Sequence, residues 1–381
     1  MKSDATSDAT PRSSSGGRLA GLSACALAAV LAATPMAANA GGPPEVHAIV
    51  TPNWATGLVN PRGLKFGPDG YLYVAEGGVG GTNPAPPGCD PVVPDVGPYL
   101  GSNTGSQISR IDALGQVQPW VVGFPSSQTS AALGRLVSGV ADVAFVGDTM
   151  YAILAGAGCS HGVTSLPNGV VRVNPDRSFT LIADLSAYQR SHPTAVIEED
   201  DFEPDGTWYS MIAVGGDLYA VEPNHGEIVK VTTDGAISRL ADVSKTQGHA
   251  VPTALAYHGN FYVGNLGTFP QDIGSAGVRK VTPSGQVKVD TLGFDMILGL
   301  AFDGRARMYV LEMAAESPAP GPFLGRVTRV SPSGDREILA DGLMLPTGMT
   351  FGPDGNLYVS TAGFLLPPVG LGSITKIELL D

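Results

Sequence analysis

Glu76, Glu222 and Glu312 each stand three residues after a tyrosine, and Asn265 holds the same place after a fourth. The tyrosines are Tyr73, Tyr219, Tyr309 and Tyr262, each inside a short apolar stretch such as "LYVAE" or "MYVLE". Oxygen donors that recur at one position of a repeat converge when the repeats are set round an axis. Several hard oxygen ligands are what Ca²⁺ or another divalent ion takes. Glu222, Asn265 and Glu312 are the set expected to hold such an ion, with Glu76 and Asn224 beside them on one ligand face. The simpler expectation pairs each glutamate with the basic residue of the strand that follows it, namely Arg110, Lys230 and Arg329, because structural ion pairs also gather charge.

The densest polar cluster is "VEPNHGE", which adds Asn224 and His225 to Glu222; "GHAVPT" places His249 shortly after it. An imidazole near a carboxylate is the material of a proton carrier, which makes His225 and His249 the candidate acid–base residues. No His-Glu-x-x-His spacing and no Gly-x-Ser-x-Gly nucleophile motif occurs. The stretch "EEDDFEPDGTWY" at Glu198–Tyr209 partly imitates a calcium loop through Asp201, Glu203, Asp205 and Gly206. Ile212, however, stands where that loop needs a bidentate glutamate. A solvated acidic loop overhanging the ligand face is expected there, as a lid or a partner surface. The glycines of "EGGVGG" and "GAGCSHG" open no helix, so they are not read as phosphate loops.

A repeat positions these residues. "FGPDGYLYVA" at Phe66–Ala75 returns as "FGPDGNLYVS" at Phe351–Ser360, with weaker copies "GDTMYAI", "GGDLYAV", "HGNFYVG" and "RARMYVL" between them. Each is followed by a glycine and a β-branched stretch with one basic residue, such as "GEIVKV" or "GRVTRV", and then by a turn such as "TTDG" or "SPSG". Six units in one order, at spacings of roughly 40–50 residues, are the pattern of propeller blades. In the fourth unit, "PTALAYH", "FYVGN", "GVRKVT" and "QVKVDTL" read as four strands. The expected fold is an all-β, six-bladed β-propeller of four-stranded blades. Its sixth unit ends on a third strand, so the strand at Glu45–Thr51, ahead of the first unit, is expected to complete blade six and close the ring.

Composition agrees. Among 381 residues there are 51 glycines and 31 prolines, and 15% are charged, as many short strands and tight turns require. A net charge of -13 disfavours nucleic acid and anionic membranes. Residues 1–40 read as a cleaved leader: Lys2, Arg12 and Arg18 precede an apolar run too short for a membrane span, and "ANA" ends it. The competing reading, a lipid-anchored Cys25 in "LSAC", leaves most of the apolar run on the wrong side of the cysteine. Export to the periplasm or the medium follows, with residues 41–381 as one propeller domain. In an oxidising compartment Cys89 and Cys159, which fall in corresponding insertions of blades one and two, are expected to pair.

"NPRGLKFGPDGYLYVAEGG", "VPTALAYHGNFYVGNLGTFP", "GLAFDGRARMYVLE" and "LPTGMTFGPDGNLYVS" together resemble the ScyD/ScyE family of exported bacterial propellers, over essentially the whole mature chain. That resemblance implies fold and compartment rather than a reaction. Where the family pattern has "YVGELTGFP", this chain has Asn265 and Gly267, so one rim carboxylate is missing. Two function classes follow from these readings. The preferred one is a non-catalytic module that binds a small molecule, glycan or protein on its loop-rich face. The alternative is a metal-dependent hydrolase or lyase with Glu222, Asn265 and Glu312 as ligands and His225 or His249 as proton carrier.

Overall fold

The computed structural model describes residues 47–94, 96–131, 134–197, 203–268, 271–315, 323–364 and 370–380. The expected leader and Asp201 lie outside the described residues. The described residues form one compact unit. It consists of six antiparallel sheets in a ring, each built outward from an inner strand. The inner strands are Pro61–Phe66, Val140–Val146, Ser210–Val214, Pro252–Tyr257, Ile297–Phe302 and Gly348–Phe351. Blade four follows its expected strands closely, with Phe261–Asn265 as its second.

Blade six closes as the sequence implies, with a longer strand than expected. Ala48–Leu58 lies antiparallel to Gly372–Leu379, Ala48 facing Leu379, and forms the outermost strand of the last blade. Of the expected span, Glu45 and Val46 lie outside the described residues. Closure leaves no blade without its fourth strand, and the unpaired edges are confined to the rim.

The repeated decapeptide has two jobs. Its turn aspartate accepts from the backbone two residues on and from the tyrosine four residues on. Asp69 takes Tyr71 N at 3.3 Å and Tyr73 Oη at 2.8 Å, and Asp354 takes Asn356 N at 3.2 Å and Tyr358 Oη at 2.9 Å. These two tyrosines, and Tyr309 at the equivalent place in blade five, also meet a phenylalanine of the next blade. Ring centroids lie 5.0 Å apart for Tyr358 and Phe66, 5.4 Å for Tyr73 and Phe145, and 5.0 Å for Tyr309 and Phe351. Tilted and edge-on aromatic pairs of this kind add stability beyond their buried area. The two near-identical segments are therefore adjacent across the closure, Phe66 packing on Tyr358.

Loops from second to third strands, and connectors from one blade to the next, share one face. Blade one is elaborated there. Its outer strands, Leu100–Ile111 and Val117–Gln128, are 12 residues each and gather the short strands Asn83–Pro84 and Val137–Ser138. Between blades two and three the connector begins with a short helix, Leu185–Ser191, whose N-cap Asp184 accepts from Ala187 N at 2.8 Å. The connector ends at Trp208, which is fully buried against Val170, Ala220 and Val229. Residues 198–202 of the expected acidic loop lie outside the described residues; at its described end Glu203 and Asp205 are buried, 6% and 3% exposed, so these two carboxylates are not solvated as expected. Trp208 draws this segment into the core, and polar partners on blades one and two take up its carboxylates.

Candidate functional site

The inner strands enclose a narrow axial cavity of about 50 Å³, room for a few waters. Its loop-face end is stoppered. Tyr209 Oη donates to the Thr347 carbonyl at 2.9 Å, running from the start of blade three to the start of blade six, opposite in the ring. Around it Met296, Leu298, Met313 and Ala314 pack with Leu266, Phe323 and Phe364. Arg62 lies over the Phe364 ring at 3.8 Å and donates to the carbonyls of Gly363 and Val137. Burial pulls this guanidinium down to about 10. Below the stopper Asp142 accepts from Met211 N and Val143 N, both at 2.8 Å, and burial pushes its carboxyl up to about 6. Gly63 faces it with no room for a side chain, since a Cβ there would come 1.9 Å from Asp142 Oδ1.

The rim residues sit at the ends of second strands, as expected, and all are buried, but each is engaged by its own blade. Glu76 accepts from Val59 N, from Gln107 Nε2 at 2.9 Å and from Ser109 Oγ, and burial raises its carboxyl. Glu312 accepts from Asp295 N at 2.9 Å, Arg326 Nε at 2.8 Å and Thr328 Oγ1 at 3.1 Å. Asn265 Oδ1 accepts from Gly277 N at 2.8 Å and Arg279 Nη1 at 3.2 Å. The expected partners fall elsewhere. Arg110 stacks on Tyr71 and Trp120, Lys230 pairs with Asp217 at 2.6 Å, and Arg329 pairs with Glu337. Strand alternation explains the correction. Those basic residues sit beside the tyrosines near the turn face, whereas the glutamates end their strands at the loop face.

Glu222 is the exception in chemistry. One oxygen takes Thr207 N at 2.8 Å and Asn224 N at 3.2 Å; the other takes His225 N at 2.6 Å and His225 Nδ1 at 3.2 Å. Burial works against ionising either partner. The His225 charge nevertheless outweighs it and holds the Glu222 carboxyl down to about 2, while Glu222 raises the imidazole. Glu227, paired with Arg239 at 2.6 Å, and Glu203 add to the field on His225, and Gln189 of the connector helix lies 3.2 Å from its Nδ1. Asn224 accepts from Glu203 N at 2.9 Å. His249 is half-buried in the connector from blade three to blade four. Glu222, Asn224 and His225 are thus brought together. No group of three or more His, Cys, Asp or Glu among the described residues is disposed to hold an ion. As held here, Glu222, Asn265 and Glu312 face N–H and O–H donors and do not fit a shared cation.

An open concavity lies off the axis. Cys89 and Cys159 form a disulfide, Cα atoms 5.6 Å apart, that ties the insertions of blades one and two. With the connector these insertions border a crevice of about 380 Å³. Leu166, Pro167 and Pro204 give it apolar walls; Asp90, Asp184, Arg190 and Asp205 give it charge. Asp205 Oδ1 accepts from Arg190 Nη1 at 3.1 Å, and Oδ2 from Ser160 N at 2.8 Å and Ser160 Oγ. Gly158 permits that approach: at φ +106° a Cβ would come 2.4 Å from the Asp205 carboxyl. Sequence reasoning placed Asp205 in a calcium-like loop and did not single out Arg190, Tyr209 or Arg62. The "SAYQRSH" segment ahead of the acidic stretch was the available signal for Arg190.

No family model and no curated protein sequence matches the chain. Solved structures do. A gluconolactonase from Xanthomonas campestris is 10% identical with a TM-score of 0.53, over 87% of this chain and 90% of its own. The PQQ-bound aldose sugar dehydrogenase from Streptomyces coelicolor is 14% identical with a TM-score of 0.51, over 89% of this chain and 100% of its own. Virginiamycin B lyase from Staphylococcus aureus is 12% identical with a TM-score of 0.47, over 88% and 100%. At these identities the likeness to the gluconolactonase and the sugar dehydrogenase bears on the propeller fold alone.

Proposed function

We propose that the protein is an exported, non-catalytic binding propeller of the ScyD/ScyE type that takes a small molecule or glycan on its loop-rich face, away from the axis. One observation carries this reading. The axial mouth is filled by Tyr209 and its apolar neighbours and the rim carboxylates are committed within their blades, whereas the open concavity lies between the insertions of blades one and two. Export rests on the leader-like residues 1–40 and agrees with the Cys89–Cys159 bridge. A metal-dependent hydrolase would need Glu222 and Glu312 to exchange His225 and Arg326 for an ion, leaving those cations buried beside it.

The test has two arms on residues 41–381. After EDTA, Ca²⁺, Mn²⁺ and Zn²⁺ are titrated while the thermal midpoint and hydrolysis of δ-gluconolactone and phenyl acetate are followed. An array of immobilised glycans and small acids is probed in parallel. The proposal expects a flat midpoint, no turnover above buffer and retention on a chemically related subset of the array. Ion-dependent turnover lost in Glu312→Gln overturns it.

A further inference from the structure

We infer that the crevice beside the Cys89–Cys159 disulfide is a polyol site, built for the hydroxyl edge of a sugar ring. This rests on the binding reading above and names the ligand's chemistry. A ring with vicinal hydroxyls needs a surface that donates and accepts within a few ångströms, together with an apolar wall for its C–H face. The crevice offers both. Arg190 lines the crevice, holds Asp205 through Nη1, and has a side chain 47% exposed, which leaves guanidinium N–H groups accessible to a ligand there. Asp205 is itself fixed: its side chain is 5% exposed and its second oxygen is held by Ser160, so it cannot swing away to follow Arg190.

A guanidinium aligned by a buried carboxylate donates in a set direction to one hydroxyl, and the neighbouring hydroxyl donates back to a carboxylate. Asp184 supplies a second positioned acceptor, its orientation set by capping Ala187 N, and Asp90 stands on the opposite insertion. The proline and leucine walls take the ring face. At about 380 Å³ the space suits one hexose rather than a nucleotide or a long peptide. With three carboxylates and one guanidinium on its lining, it favours a neutral sugar over an acidic one.

Isothermal titration of residues 41–381 with D-glucose, D-galactose, D-mannose and D-glucuronate tests this, with Arg190→Gln and Thr164→Trp alongside. Thr164 is exposed and a Trp there fills the mouth of the crevice; Arg190 is exposed but holds the buried Asp205, so the Arg190→Gln midpoint is read beside its affinity, and Thr164→Trp carries the test if Arg190→Gln does not fold. The expected result is saturable binding of at least one neutral hexose, weaker or absent for glucuronate, and at least tenfold weaker in both variants. Binding of a hexose that both variants leave unchanged overturns the polyol site while leaving the binding reading intact. Failure of all four sugars to bind overturns it as well. Ion-dependent turnover in the hydrolysis assay sinks the binding reading without touching a hexose affinity that the variants abolish.

Discussion

Glu222→Gln should destabilise the propeller by an amount that depends on pH. In the wild type the carboxyl is held near 2 against an ordinary 4.5, which corresponds to roughly 3 kcal/mol of preference for the ionised form in the folded state. Breaking a buried ion pair by removing one partner costs about 3–5 kcal/mol, so the two scales agree. Gln cannot compensate: Glu222 accepts N–H groups at both oxygens, and the new amide would point a donor at either Thr207 or His225. At ~2.1 cal/mol/K per residue, a propeller of this size has an unfolding entropy near ~0.7 kcal/mol/K, and the loss becomes a midpoint drop of roughly 4–7 °C. Because Glu222 is depressed, its contribution is present above its unfolded value and is lost as pH falls toward 2. Because His225 is raised, its contribution is present below 6.5 and is lost as pH climbs through its elevated folded value. The gap between wild type and variant should therefore be widest near pH 5–6 and narrow on both sides. Differential scanning calorimetry from pH 3.5 to 9 reads it directly. A gap that stays constant across that range would show that hydrogen-bond geometry, not the ion pair, carries the loss.

Other outcomes follow from the same geometry. Asp142 is an acid held up at about 6, so folding prefers it protonated and burying its charge costs on the order of 3 kcal/mol at neutral pH. Asp142→Asn should lose ground to the wild type as pH is lowered from 8 to 4 in denaturant titrations; a difference that does not move with pH removes Asp142 from the account. Replacing Cys89 and Cys159 together by serine opens a loop with a sequence separation of 70, which chain-entropy arithmetic sets at about 4 kcal/mol, or a fall in midpoint of roughly 6 °C. A midpoint within a degree of the wild type would mean the insertions are held by other contacts. A chain beginning at Val59 lacks the closing strand, exposes the edge of Gly372–Leu379, and should scatter light in proportion to concentration unless a peptide of residues 47–58 is added. Persistence as a monomer without the peptide would contradict the edge argument.

The fold was legible because its rule is local and repeated. The strand tyrosine, the glycine that opens the next strand and the turn beyond it recur in one order in every unit, and five of the blades are meanders of consecutive strands, so the order of motifs is the order of elements. The closing strand was legible by counting, since blade six lacked a partner for its third strand. Partnerships were not. Glu76 pairs with Gln107, three residues from Arg110, and that odd offset places the two side chains on opposite faces of the sheet as well as apart along it. Nor does any motif reveal that Trp208 pulls Glu203 and Asp205 inward, because that burial depends on contacts with blades two and three. Asp205 and Arg190 are fifteen positions apart on an irregular connector. Their pairing is a tertiary fact without a periodic trace.

The closing strand also sets a clock. Five blades are each made from a consecutive stretch and can form as the chain appears, but Ala48–Leu58 must wait for Gly372–Leu379. At ~5–20 residues per second, the interval between the appearance of Ala48 and that of Leu379 is roughly 15–65 s. Throughout it, one strand with exposed Ile49 and Val50 has no sheet to join, and the nascent ring has no sixth wall. Whatever keeps that strand extended and unassociated until the last residues arrive determines how much of the protein closes on itself rather than on a neighbour.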